Sequence, residues 1–535
     1  MLKKRIIAFA CALTVAGSCA FGTTAGDFML SAEAAGSISE TGGASSYNIA
    51  DSASHYYDNQ DKRVFSYMYE ESGGILNRVE YISSNLVVEK YDMTTGALKG
   101  SKNISLSYSS FSTSPIFGGF FAGKKYNFVV LGQNNTQESD DVPVICVVRF
   151  SKDFSQYKLA YIKGCNTSVP FAAGSCRMAE ANGKLYIHTC HKMYKSSDGY
   201  NHQANMSFVV DEEAVSFEEK YYSVTNDEVT GTINGWGSIF GYSSHSFDQF
   251  VALDDNALYA YDHGDAYSRS LRVHRFDLAS RSLEYTDLVK INGSFGDNYT
   301  GVLTGDMELS SDHVLVGVKM TDMTKSTPDS YTTLKDIYVL NVAKSDIVHT
   351  KNSAGSLRLT NYANAANKPK ANTAPKMAKI NDNKFLVMWS EIYSGSSSSS
   401  TVTTTKIAFV NGSGALIGDI KSSTELLLSD CDPILCSDGM VRWYAANNSS
   451  PKIYALDPNE PNDFSGGTAT PRLPGDADGD GKFGLGDLGR IQQYICDWDV
   501  DIDLDAADVN RDGKVNNKDL GLVQMKLADW DVVLL

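Results

Sequence analysis

The sequence predicts an all-β chain folded as a seven-bladed β-propeller, followed by a small α-helical module built on a duplicated acidic loop. Three observations predict it. One apolar strand type ending in an Asp, Asn or Ser turn recurs seven times, a second strand type precedes every copy, and near the carboxyl end an Asp-rich loop with its helix repeats 32 residues on.

The first strand type runs from Leu86 to Tyr91 before Asp92, Ile145 to Phe150 before Ser151, Met206 to Val210 before Asp211, and Leu271 to Phe276 before Asp277. It continues as Ile337 to Leu340 before Asn341, Ile407 to Val410 before Asn411, and Ile453 to Leu456 before Asp457. These turns lie 59, 60, 66, 64, 70 and 46 residues apart. The second type covers Val79 to Ile82, Tyr126 to Leu131, Leu185 to His188, Leu258 to Tyr261, Val314 to Val318, Phe385 to Trp389 and Val441 to Tyr444. Tight turns such as Asn182-Gly183 and Asp438-Gly439 open several of these, with a further apolar strand before the turn, as in Phe250 to Leu253. Short alternating runs closed by turn residues, without a long helical period, are the all-β signature. A four-stranded unit repeated at roughly sixty residues is a propeller blade. Residues 35–457 are therefore read as seven blades, with a twisted β-sandwich lectin as the alternative fold. The seventh copy stops at Asp457 without a fourth strand, and the segment around Tyr47 to Tyr57 is expected to supply it.

Ahead of the blades, Met1 to Arg5 is basic, Ile6 to Gly22 is apolar and small, and Ala32-Glu33-Ala34 is a small-x-small signal before Ala35. Residues 1–34 thus read as a secretory signal peptide. No later run of about eighteen apolar residues could span a bilayer. The formal net charge is −17, which repels nucleic acid and attracts divalent cations. Of nine cysteines, Cys11 and Cys19 fall in the leader, and the seven others are irregularly spaced. That pattern argues against a disulfide framework and leaves single pairs such as Cys431 with Cys436 open.

Between residues 475 and 535 there are fourteen Asp and six Lys plus Arg, so 14 − 6 leaves −8 in the tail. Asp476, Asp478 and Asp480 alternate, Gly481 follows, and Asp487 closes a twelve-residue loop; Asp508, Asn510, Asp512, Gly513 and Asp519 repeat the pattern. These are EF-hand-type calcium loops. Positions one, three and five set side-chain oxygens around a hard cation, Gly at six permits the turn, the backbone carbonyl of Lys482 or Lys514 serves position seven, and position twelve closes the cage. The 32-residue offset also relates Asp497-Trp498-Asp499-Val500 to Asp529-Trp530-Asp531-Val532. Leu488, Ile491, Tyr494 and Ile495 share one helical face, as do Leu520, Val523 and Leu527 in the second copy.

With Asp at position twelve and no entering helix, residues 475–532 resemble the type I dockerin family. The resemblance implies two Ca²⁺ ions, folding coupled to metal binding, and docking to a cohesin domain of a scaffold protein in a cellulosome-type assembly. It places the cohesin contact at loop positions ten and eleven, which are Leu485 and Gly486 in one copy and Asn517 and Lys518 in the other. Members that bind in two orientations keep those residues alike; here they differ, so one copy is expected to dominate. Residues 458–474, with four Pro among small and polar residues, read as a tether.

In a propeller, loops joining second and third strands converge on one face, so residues distant in sequence can share a rim. The third blade offers His191, Tyr194 and His202, with Arg177 on its inner strand; Trp236 and His245 lead into the fourth, whose loop holds Asp262, His263, Asp265 and Arg269. Aromatic faces suit pyranose rings, and Arg suits a carboxylate in two-point fashion. These residues are the candidate ligand site for plant cell wall polysaccharide. The same groups would serve a polysaccharide lyase or glycoside hydrolase, with His or Tyr as base, Arg177 or Arg269 on a uronate and a His set on a metal. A protein-interaction propeller is a third reading. Together the features describe a secreted, scaffold- or cell-surface-associated component of polysaccharide binding or degradation.

Overall fold

The computed structural model describes residues 29–34, 63–217, 238–459 and 475–534 apart from short stretches, and within them seven antiparallel sheets succeed one another as a propeller. Blade one is Ser66–Glu71, Ile75–Ile82, Asn85–Asp92 and Leu98–Ser105. Blade two is Ile116–Ala122, Tyr126–Gly132, Pro143–Ser151 and Tyr157–Lys163. Blade three is Cys176–Ala181, Lys184–Lys195, Asn201–Asp211 and Ser216–Phe217, with Thr167–Pro170 paired to the far end of its second strand. Blade four is Ser246–Asp254, Ala257–Ala266, Ser268–Asp277 and Leu283–Lys290. Blade five is Val302–Leu309, His313–Met320, Asp336–Ala343 and Gly355–Arg358. Blade six is Lys376–Asn381, Lys384–Ser394, Thr401–Val410 and Leu416–Ser423, and Ile434–Leu435, Val441–Ala445 and Lys452–Leu456 form blade seven. Every expected copy of the two strand types lies in a second or third strand.

Each middle strand is buried on both faces, which is why the apolar runs are nearly continuous. Ile145 and Val147 enter the core shared by blades two and three, while Cys146 and Val148 point the other way into the core shared with blade one. Such alternation follows from the two-residue side-chain period of a strand. The recurrent turn residue also has a function. Asp92, Asp211 and Asp277 each accept two backbone N–H groups from the residues two and three further on, and Asn411 accepts those of Ser413 and Ala415. These Asx turns reverse the chain into the outer strand.

Blade seven meets blade one without a covalent link. Tyr444 Oη donates to the Val79 carbonyl at 3.0 Å, Phe65 N donates to Asp430 Oδ2 at 2.7 Å, and Ser437 N donates to Glu70 Oε2 at 2.7 Å. The Arg78 guanidinium lies 5.1 Å from the Tyr444 ring centroid and is fully buried with Glu80 and Glu89, at 2.6 and 2.9 Å. The segment expected to complete blade seven, Tyr47 to Tyr57, lies outside the described residues. Met29–Ala34 pairs antiparallel with Tyr157–Lys163 as a fifth strand on blade two, so cleavage before Ala35 would leave Tyr157–Lys163 as that blade's outer edge. Cys431 and Cys436 are buried and not joined in a disulfide, like the other buried cysteines described. Among the described residues no helix is long and apolar enough to cross a membrane.

Replacing Arg78 with Met leaves two buried carboxylates facing each other. The expected loss of unfolding free energy is about 3–5 kcal/mol, read from the urea midpoint; an unchanged midpoint would show that the network does not hold the closure.

Candidate functional site

The C-terminal module is a pair of matching loops, each running into a helix. Helix α1 is Leu485–Ile495, α2 is the short Leu504–Ala507, and α3 is Asn517–Leu527. Ala477, Ile491, Ala507, Val509 and Val523 are its buried centre, with Leu488, Ile495, Leu520 and Leu527 packed around them. Tyr494, expected on the packed face, stands exposed. In the first loop Asp487 Oδ1 accepts the N–H of Asp478 at 3.1 Å and Oδ2 that of Gly484 at 2.7 Å. In the second, Asp519 Oδ1 accepts from Asn510 N at 3.3 Å and Oδ2 from Asn516 N at 2.9 Å. The two twelfth-position carboxylates are thus fixed in the same way, 32 residues apart.

Both Asp487 and Asp519 are buried, at 1% and 0% exposure. Oxygens of Asp476, Asp478 and Asp487 all lie within 4.8 Å of one another. Three carboxylates so close repel unless a cation sits among them, and an all-oxygen set fits a hard divalent ion such as Ca²⁺. Asp508, Asn510 and Asp519 hold the corresponding places; Asp480 and Asp512 lie outside the described residues. Lys482 and Lys514 occupy position seven, where the Lys514 carbonyl also accepts from Asn516 Nδ2 at 3.1 Å. Leu485, Gly486, Asn517 and Lys518 are exposed, at the start of α1 and α3.

On the propeller, the expected rim loops of blades three and four are largely paired strand. Asp262, His263 and Asp265 lie within Ala257–Ala266, and Arg269 within Ser268–Asp277. Asp262 is fully buried: His188 Nε2 and His274 Nε2 lie 3.3 and 3.2 Å from its Oδ2, Asn205 Nδ2 donates to that oxygen at 3.0 Å, and Ser246 Oγ donates to Oδ1 at 2.7 Å. Burial pushes its pKa upward, but the two imidazoles overrule it and hold the carboxyl well below the usual range. His263 bridges Asp248 at 3.2 Å and Thr300 Oγ1 at 2.9 Å. His191 is buried against Thr167 Oγ1 at 2.7 Å, and burial lowers its pKa to about 3.

Other members are drawn off separately. Arg269 donates to the carbonyls of Asp265, Asn292, Asp297 and Tyr299, pinning the loop to blade five, so it does not offer its guanidinium to a uronate. Tyr194 Oη accepts from Asn135 Nδ2 at 2.9 Å and donates to Asp140 at 3.3 Å, on the blade-two side. Trp236 lies outside the described residues. What does assemble at the surface is smaller: His245 Nδ1 sits 3.0 Å from buried Asp265, its ring stacks on His202 with centroids 6.0 Å apart, and His202 Nε2 meets Asp198 at 2.6 Å. Ser244 N, next to His245, donates to the Tyr267 carbonyl at 2.8 Å. The Tyr267 ring stacks on Phe295 at 5.5 Å and 12°, and these rings stay 43% and 68% exposed. Phe295 was not legible, because it lies in an irregular loop with no periodicity to mark it.

Arg177 faces the propeller axis. Its Nη1 meets Asp432 Oδ2 at 2.5 Å, and its guanidinium lies 4.7 Å from the Phe250 centroid. Lys376 Nζ reaches Asp432 Oδ1, also at 2.5 Å. The carboxylate that Arg177 holds is therefore the chain's own, from the segment leading into blade seven. Asp306 Oδ1 accepts from Met307 N at 2.9 Å and Oδ2 from Met377 N at 3.1 Å. Burial and the charge of Asp432 push its pKa upward, whereas Asp432, despite burial, is held below the usual carboxylate range by Arg177 and Lys376.

For Asp262 the sign is set by a depressed pKa: its stabilisation is present above the ordinary carboxylate range, about 4, and is lost as pH falls from there towards the folded value. Asp262→Ala should cost about 3–5 kcal/mol at neutral pH, and its urea midpoint should converge on that of the unsubstituted chain as pH drops below about 4.

No curated protein matches the chain. Residues 474–528 match the Dockerin type I domain family, which is the part of the chain that carries the paired loops and their helices.

Proposed function

We propose that the chain is an extracellular component of a cellulosome-type assembly, moored through its C-terminal module to a cohesin of a scaffold protein and presenting the propeller to plant polysaccharide. The observation that carries the first half is the repeated fixing of Asp487 and Asp519 by the N–H groups of positions three and nine, together with the family match. Two Ca²⁺ ions are held, one by Asp476, Asp478, Asp480, Asp487 and the Lys482 carbonyl, the other by Asp508, Asn510, Asp512, Asp519 and the Lys514 carbonyl. The ion's part is to neutralise each cage. The chain's own part is to aim the oxygens and to start α1 and α3 from the last residues of the loops, which sets positions ten and eleven on the surface. Leu485-Gly486 presents an apolar, low-relief patch and Asn517-Lys518 a polar, charged one, so one copy dominates the contact.

For the polysaccharide half, the exposed Tyr267–Phe295 shelf beside the His202–His245 pair supports a sugar-facing surface. Aromatic faces stack on the C–H faces of pyranoses, and the adjoining imidazoles and carboxylates answer hydroxyls.

Calorimetric titration of the full chain with Ca²⁺ should give two ions per chain, and Asp487→Ala or Asp519→Ala one. Retention on an immobilised cohesin should vanish with a chelator and return with Ca²⁺; chelator-resistant retention would refute the mooring. Phe295→Ala should reduce retardation in a gel containing cell wall polysaccharide by about tenfold in affinity if the shelf is worth a stacked ring. Equal retardation would remove the shelf from the site.

A further inference from the structure

We infer that the cavity on the propeller axis is a pocket for one uncharged sugar residue, hydrogen-bonded by Arg177, Asp306 and Asp432. It rests on the polysaccharide reading for the class of ligand and goes beyond it in assigning a place. The cavity measures about 350 Å³ and is lined from the inner strands of blades one to five and from the segment entering blade seven. That volume is at the low end of small-molecule sites, about 300–1,000 Å³, so it suits a single ring and excludes a folded chain segment.

The lining selects against charge. Arg177 is set against Asp432, and Asp306 joins as a carboxyl that burial and the neighbouring Asp432 push towards its neutral form. A uronate would bring its carboxylate towards Asp432 and Asp306, and an amino sugar would bring an ammonium towards Arg177. A neutral sugar meets neither penalty, because each hydroxyl both donates and accepts. Arg177 is the donor best placed to use it. Its Nη1 is engaged by Asp432, and the side chain keeps 17% of its surface accessible as part of the cavity lining. Tyr67 is held in place by donating to the Val64 carbonyl at 2.5 Å and by an edge contact with Phe120 at 5.4 Å, so this wall is formed before any ligand arrives.

The test is saturation-transfer NMR on the full chain with glucose, xylose, galactose, galacturonate and glucosamine as probes. Transfer is expected to at least one neutral sugar and to be weaker for the two charged ones. Val251→Trp, which fills the cavity from its wall and removes no polar group, should abolish it, and Arg177→Met should weaken it about tenfold. Strongest transfer to galacturonate or glucosamine, or undiminished transfer in both variants, would overturn the pocket. Retardation by cell wall polysaccharide with no transfer to any sugar would overturn the pocket and leave the polysaccharide reading standing, whereas absence of both would overturn the two together.

Discussion

Taking a carboxylate out of water is unfavourable by several kcal/mol unless cations or N–H groups take the place of the lost hydration. Aspartates recur at each structural level of this chain, and each level answers them differently. At the blade turns, Asp92, Asp211 and Asp277 stay near solvent and accept two backbone N–H groups apiece. Between blades three and four, Asp262 is fully buried and is met by two imidazoles, an amide and a hydroxyl. On the axis, Asp432 is met by Arg177 and Lys376. In the tail, Asp487 and Asp519 take two backbone N–H groups each, while the neighbouring carboxylates Asp476 and Asp478 crowd against Asp487. Backbone dipoles alone do not balance that much charge, and a hard cation among the three carboxylates would balance it.

Ring closure decides where the remaining polar groups go. Six apolar clusters sit between successive blades, and the one that draws on blades six and seven also takes Met68 and Leu76 of blade one. With both faces of every middle strand committed to these cores, a polar side chain there must be satisfied inside or turned to the axis. Asp262 and His263, on a middle strand, follow the first course; Arg177 and Asp306 stand on innermost strands and line the axial cavity. The outer loops keep what the sheets leave over, and Tyr267 and Phe295 are large apolar side chains left exposed beside blade four.

This explains what could be read from the sequence. The middle strands were legible because continuous apolar runs ending in an Asx turn have a local physical cause, and the metal loops because their ligands fall within twelve residues of chain. The rim was misplaced because Asp262 to Arg269 reads as a polar loop, yet Ala257–Ala266 and Ser268–Asp277 pair along their length. Alternation could not reveal it, since its polar side chains face other blades rather than water. The axial group was invisible for another reason. Asp306, Lys376 and Asp432 are each unremarkable in their own segments, and only the circular return of the chain brings them to Arg177.

The two kinds of answer to a carboxylate also separate assembly from folding. Imidazole, guanidinium and ammonium partners are covalent parts of the propeller and leave only by titration or mutation. A metal cage exchanges with its surroundings, so attachment through it depends on free Ca²⁺. The apolar cluster beneath the cages draws on residues 477–534 alone, with Ala477, Ile491, Ala507, Val509 and Val523 at its centre. So few buried side chains give little stability by themselves, and the cages must contribute the rest. On the proposed reading, loss of the ion would undo the C-terminal module, while the inter-blade cores share none of those residues and would stay folded.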